Sequence, residues 1–178
     1  MTTVLKKNII EVVADIRTHR GAIKCESGLA VKHTAVAIFD TAGNDSAGVS
    51  NKTITAHGTG VYLPAGAIVT DAWYDVKTTF VSAGADAGTI AASVVNTGDL
   101  TAAIAISDAS NVWDAGLHGS VAGTPSLDGN ALTAIAGAAA CAATMIKCTA
   151  EKQITVTVAG QVLTAGKMAI FVEYYIGL

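Results

Sequence analysis

Charge is scarce in this chain of 178 residues: Asp, Glu, Lys and Arg make up 14% of positions, against roughly 25% in an ordinary globular domain. The net charge is −3 and the isoelectric point about 5.7, so no electrostatic footprint for nucleic acid or an anionic membrane is present. Aromatic residues are scarcer still, at 5%. The three cysteines, Cys25, Cys141 and Cys148, cannot all pair and form no CxxC pattern. That excludes a disulfide framework or a cysteine-based zinc or redox motif. The bland reading of small buried hydrophobes, in a protein folded in a reducing compartment, fits them better. Long apolar runs are also missing. The longest uncharged stretch, Gly129 to Ile146, is mostly Ala, Gly and Thr, too weakly apolar to span a bilayer. Glu11 and Asp15 interrupt the one early apolar stretch, so no signal peptide is expected and the chain should be soluble.

What the chain has instead is alanine. Hydrophobic residues reach 51%, which excludes disorder, but Ala supplies so much of that share that the mean hydropathy of +0.49 overstates the driving force. Low charge with many small residues suits surfaces that are covered in use. The charge is uneven. Residues 1–52 hold seven Lys/Arg against five Asp/Glu, and residues 53–178 hold four against nine.

The periodicity also divides the chain. Asn8 can cap a helix with Glu11 three residues on, and Ile9, Val12, Val13 and Ile16 share one helical face. Arg17, His19 and Arg20 then precede Gly21, a cationic last turn and a stop. Four β-branched residues on that face leave an extended arm as the alternative. The expected division is a helix or arm over 1–32 and a β domain over 33–178.

From residue 33 the period becomes two. Strands are expected at Thr34–Phe39, Thr53–His57, Ile68–Phe80, Thr89–Val95 and Leu100–Ile106, and the residues from Asp40 to Asp45 form a dense turn signal. In the long third strand Ile68, Thr70, Ala72, Tyr74, Val76, Thr78 and Phe80 are assigned inward. Asp71, Asp75, Lys77 and Thr79, with Val69 and Trp73, are assigned outward. Gly58-Thr59-Gly60 reads as a turn, and Pro64-Ala65-Gly66 as a corner. Residues 109–130 read as loop, and 131–149 stay open between an Ala-rich helix and irregular chain. Ile154, Val156 and Val158, then Met168, Ile170, Val172, Tyr174 and Ile176, alternate around Thr164-Ala165-Gly166-Lys167, which predicts a closing antiparallel hairpin. Strands at this spacing without long helices between them argue for an all-β antiparallel sandwich or jelly roll.

Little in the sequence carries chemistry. His19, His33, His57 and His118 are far apart and form no HxxxH or HExxH, so each reads as a surface or loop histidine rather than a ligand. Neither a nucleophile elbow nor a P-loop occurs. Asp40, Asn44 and Asp45 miss the EF-hand spacing, and turn chemistry accounts for them. Asp71 and Asp75 form a conceivable carboxylate pair, but Lys77 on the same face makes a solvated charged strand the simpler reading. Trp73 and Trp113 could stack on a sugar; core or interface packing suits them better. No catalytic, cofactor-binding or metal-binding residue is assigned, and no enzyme activity is expected.

Phe39-Asp40-Thr41-Ala42-Gly43-Asn44-Asp45, Gly60-Val61-Tyr62-Leu63-Pro64-Ala65-Gly66-Ala67 and Thr70-Asp71-Ala72-Trp73-Tyr74-Asp75-Val76 resemble segments of a family of tailed-bacteriophage virion proteins. The resemblance continues through Ala85-Asp86-Ala87-Gly88-Thr89-Ile90, Asn111-Val112-Trp113-Asp114-Ala115-Gly116 and Ile170-Phe171-Val172-Glu173-Tyr174, with a gap across about 118–150. It implies a structural protein of the particle. Some similar proteins are jelly-roll capsid decoration or cement proteins, often trimeric. On that resemblance the expected partners are other copies of the chain, as a homotrimer, and the phage major capsid protein, with no nucleic acid and no membrane. The expected location is the head surface after synthesis in the host cytoplasm. A tail or fibre-associated adhesin is the alternative, and a tail-borne glycan hydrolase is the third reading.

Overall fold

The computed structural model describes residues 31–118 and 146–176. The expected N-terminal helix, Cys25, Cys141, His19 and most of the open stretch 131–149 lie outside the described residues. Among those described, every element is a strand: β1 Lys32–Asp40, β2 Ala56–Leu63, β3 Ala67–Ser82, β4 Thr89–Ser93, β5 Thr101–Ala105, β6 Gly116–His118, β7 Lys152–Ala159 and β8 Leu163–Ile176.

They form two four-stranded sheets in the orders β1-β8-β3-β6 and β2-β7-β4-β5. Only β4 and β5 are consecutive in the chain and neighbours in a sheet; every other connection crosses between the sheets. This interleaving is the eight-stranded double Greek key of the jelly roll. The core lies between the layers, where Phe39, Tyr74, Met168, Ile170 and Val172 from the first sheet meet Leu63, Ile90, Ile154 and Val156 from the second. All of these are at most 2% exposed. Aromatic rings close one end. Tyr74 and Phe80 pack against Trp113 with centroids 5.3 and 6.0 Å apart. The polar atoms of that cluster are satisfied: the Trp113 indole N–H donates to the Ile104 carbonyl at 3.1 Å and the Tyr74 hydroxyl to Val112 at 2.9 Å.

Several local expectations need correction. The closing pair is not a hairpin: β7 hydrogen-bonds to β2 and β4, whereas β8 lies between β1 and β3 in the other sheet. Alternation reports that a strand has one dry face and says nothing about its neighbour. Thr164–Lys167 is accordingly part of β8, with Ala165 opposite Val81 and Lys167 opposite Thr78. The second strand runs over Ala56–Leu63 rather than Thr53–His57. Gly58-Thr59-Gly60 lies inside it, where the pairing with β7 shifts register between Gly58 and Tyr62. Gly60, at φ +79°, lets the strand pass through that bulge without turning back.

In β3 the inner face changes at a bulge. Val69 opposes Tyr174 but Asp71 opposes Glu173, so β3 carries one residue more than β8 there. Ala67 and Val69 are therefore buried before the bulge, and Ala72, Tyr74 and Val76 after it, whereas the sequence pattern put Val69 outside and Ile68 inside; a second register shift, between Val76 and Thr78, leaves Thr78 exposed where the pattern put it inside. The loop expected over 109–130 also contains a strand, β6, which pairs with β3 through Leu117 opposite Asp75.

Candidate functional site

The residues with chemical potential serve structure. His57 is not a surface histidine: it is fully buried on β2. Its Nε2–H donates to the Thr53 carbonyl at 2.8 Å, and its Nδ1 lies 3.3 Å from Asp45 Oδ2. Asp45 in turn accepts the Ala47 and Val49 amides through Oδ1, each at 2.8 Å. Asp40 accepts the Ala42 amide at 2.9 Å and pairs with Lys167 Nζ at 2.9 Å. These carboxylates fold the loop between β1 and β2, which is the turn role expected of them. His33 stacks on Tyr174 and His118 on Tyr74, with centroids 5.3 and 5.1 Å apart. Among the described residues no three His, Cys, Asp or Glu side chains gather as metal ligands would.

Asp71 and Asp75 face outward on β3. Four residues of strand separate them by roughly 13 Å, beyond the ~5–9.5 Å of a glycosidase pair, and Asp75 contacts Lys77. Cys148 is a buried free thiol, and burial raises its pKa, which disfavours the reactive thiolate. Sequence reasoning missed Asp99. It is 1% exposed and accepts the amides of Val94, Val95 and Asn96 at 2.7–2.8 Å, so a buried carboxylate here closes the turn from β4 to β5. The NTGD run at 96–99 was the available signal, since Asp in such a turn bonds nearby backbone.

The loop carboxylates have a pH consequence. Amide bonds from Val49 and Ala47, with His57, hold the Asp45 pKa below its ordinary value. Lys167, then Ala42, do the same for Asp40. The fold thus prefers their charged forms. Their stabilisation is fully present above the ordinary carboxylate range and is lost as pH falls through the lowered folded values. Acidification below about pH 4 is expected to loosen residues 40–51, read as movement of the Val49 and Ala47 amide resonances. In Asp45→Asn those resonances should lose the titration of Asp45. An unchanged titration in that variant would show that other groups control the loop.

The distinctive surface is the outer face of the first sheet. The Thr41 amide donates to Gly166 O at 3.0 Å and His33 stacks on Tyr174, a register that sets Val36 beside Phe171 and Ile38 beside Ala169. Phe171 opposes Trp73, and their rings stack almost parallel at 5.3 Å. Val36, Ile38 and Leu117 are 45%, 52% and 72% exposed. An aromatic and aliphatic band therefore crosses all four strands. Asp71 and Glu173 lie in the row on one side of it; on the other, Lys167 lies opposite Thr78, next to Lys77. The outer face of the second sheet is different: Thr155 and Thr157 are half-buried there, and Ala91 and Ser93, opposite them, are buried.

A chain in the acid-stable capsid structure of Helicobacter pylori bacteriophage KHP30 matches with a TM-score of 0.50 at 13% identity, over 83% of this chain and 90% of that one. The fold is one that occurs in a phage capsid. A chain of the cyanophage Pam1 capsid asymmetric unit matches with a TM-score of 0.49 at 18% identity, over 90% of this chain and 95% of that one. No protein-family model matches the chain, and no curated protein does.

Proposed function

We propose that the chain is a non-enzymatic structural component of a tailed-phage virion, and within it a decoration protein bound to the outside of the major capsid protein shell. The carrying observation is a broad outer sheet face with an apolar band and stacked Trp73 and Phe171 rather than a cleft. Such a surface suits contact with another protein. The carboxylates and histidines that could have done chemistry are tied into turns and packing. The sequence resemblance and the occurrence of this fold in a phage capsid support the setting.

In this reading the chain acts as a homotrimer on the head surface, and residues 1–32 form an attachment arm distinct from the β domain. A protein that binds only the assembled shell stabilises it by mass action, and symmetric copies multiply weak contacts. The half-buried aromatic stack also favours a second reading, an adhesin of the tail or a fibre. Copy number separates the two: hundreds per particle mean the shell, a few dozen or fewer mean the tail.

The test uses capsids lacking the protein. Full-length chain should bind them and raise their resistance to heat. A chain without residues 1–20 should melt nearly as the full chain does yet bind more weakly. Failure of the full-length protein to bind any form of the shell sinks the decoration reading. Unchanged binding of the shortened chain moves the docking surface to the β domain.

A further inference from the structure

We propose that the outer face of the β1-β8-β3-β6 sheet is a self-complementary two-fold interface that takes a second copy of this chain. The contact is independent of a shell and distinct from the three-fold association proposed above.

The argument rests on how charge is ordered along the strands. Four rows cross the face, each two residues and roughly 7 Å from the next. Glu173 and Asp71 are paired across β8 and β3 in the first row. Phe171 and Trp73, with Val36, make the second. Ala169 and Asp75, with Ile38 and Leu117, make the third. Lys167 is in the fourth, opposite Thr78, with Lys77 beside it at the register shift that follows Val76; there Lys167 pairs with Asp40 and Lys77 contacts Asp75. Apart from Asp75, which Lys77 contacts within the chain, the face is apolar through its middle, acidic at one end and lysine-bearing at the other.

Only one face-to-face arrangement of two identical copies uses that order. A two-fold axis across the strands, between the second and third rows, turns the acidic end of one copy onto the lysine end of the other. Glu173 then meets Lys167 of the second copy, Asp71 meets Lys77, and the Phe171 ring lies over the small Ala169. A two-fold axis along the strands would instead set carboxylates on carboxylates and lysines on lysines, so the charges select against it. Isologous contacts of this kind give closed pairs, and two twisted sheets can pack face to face about 10 Å apart. Trp and Phe lie at the centre and the other charges at the rim, as in the anatomy of an interface, with Asp75, already held by Lys77 of its own chain, under the partner's Trp73. Asp71 and Glu173 keep contacts within their own chain, as the lysines do, so the second copy extends existing charge networks.

The experiment is charge reversal with mixing, read by sedimentation of the full chain. The wild type should sediment as an even-numbered oligomer whose mass halves in high salt. The variant Asp71→Lys/Glu173→Lys should show half the wild-type mass, and so should Lys77→Glu/Lys167→Glu. Mixed one to one, the two should regain the wild-type mass, because each lysine then faces a carboxylate. Trp73 supplies a second readout. Trp113 is 1% exposed, so acrylamide quenching reports Trp73, which should be accessible in each variant and shielded in the mixture. If a double variant does not fold, the pair Asp71→Lys and Lys77→Glu carries the same test. Wild-type mass in both folded variants, or no recovery on mixing, overturns the proposal. So does Trp73 shielding that disappears on removing residues 1–30 and ignores the charge variants, since the chain's own segment would then cover the face.

Discussion

Val172→Asp is expected to yield no soluble folded protein. Val172 is 0% exposed on β8, which lies between β1 and β3 in the first sheet, and its side chain faces the second sheet across the core. The substitution removes about 1.5–3 kcal/mol of apolar burial. It also places a carboxylate inside the hydrophobic core, at a further cost of several kcal/mol. Against a total stability of roughly 5–15 kcal/mol for a domain, that sum removes most or all of the folded state. Expression at low temperature and circular dichroism of the soluble fraction provide the check. A soluble Val172→Asp protein with a cooperative melt would mean that β8 can turn its inner face outward.

Gly166→Ala should be the most costly change available by adding a single methyl. Gly166 is at φ +139°, a backbone conformation that L side chains seldom adopt, with strain of about 1–3 kcal/mol. A Cβ built there would overlap the ring of Phe80, itself 1% exposed, and overpacking adds about 1–3 kcal/mol. The Gly166 carbonyl also accepts both the Thr41 amide and the Thr41 hydroxyl at 3.0 Å, so a shift of this segment disturbs the β1–β8 seam. Chemical denaturation should show a midpoint well below wild type. Adding Phe80→Leu should recover part of the loss by relieving the overlap and leave the backbone part. A Gly166→Ala protein as stable as wild type would show that β8 can relax here at no cost.

The period-two strand patterning was legible because it depends on local residue identity. The same holds for the Asp40–Asp45 turn, where short side chains bond backbone two to four residues away, and for the Pro64–Gly66 corner, closed by the Ala67 amide on Pro64. Asp99 was legible in principle, since its partners lie within five residues. His57 was not. Its burial follows from where β2 begins and from its packing against Phe39 on the other sheet, with centroids 5.8 Å apart.

The sequence by itself determined that this is a β protein, and that Ile154, Val156 and Val158, like Met168, Ile170 and Val172, face inward. Period-two patterning sorts a strand's side chains into two faces whatever its partners. Tertiary structure alone decided which strands are neighbours. A strand's hydrogen-bonding edges carry no side-chain signature, so β7 and β8, three residues apart in the chain, could look like a hairpin and yet belong to opposite sheets. It also decided which face of β3 is dry on each side of Thr70, because one extra residue in one strand reverses inside and outside and is visible only against the partner it slips past. The ordered outer face depends on those same decisions: Asp71 and Glu173 share a row, as do Trp73 and Phe171, only because residues about a hundred positions apart lie side by side.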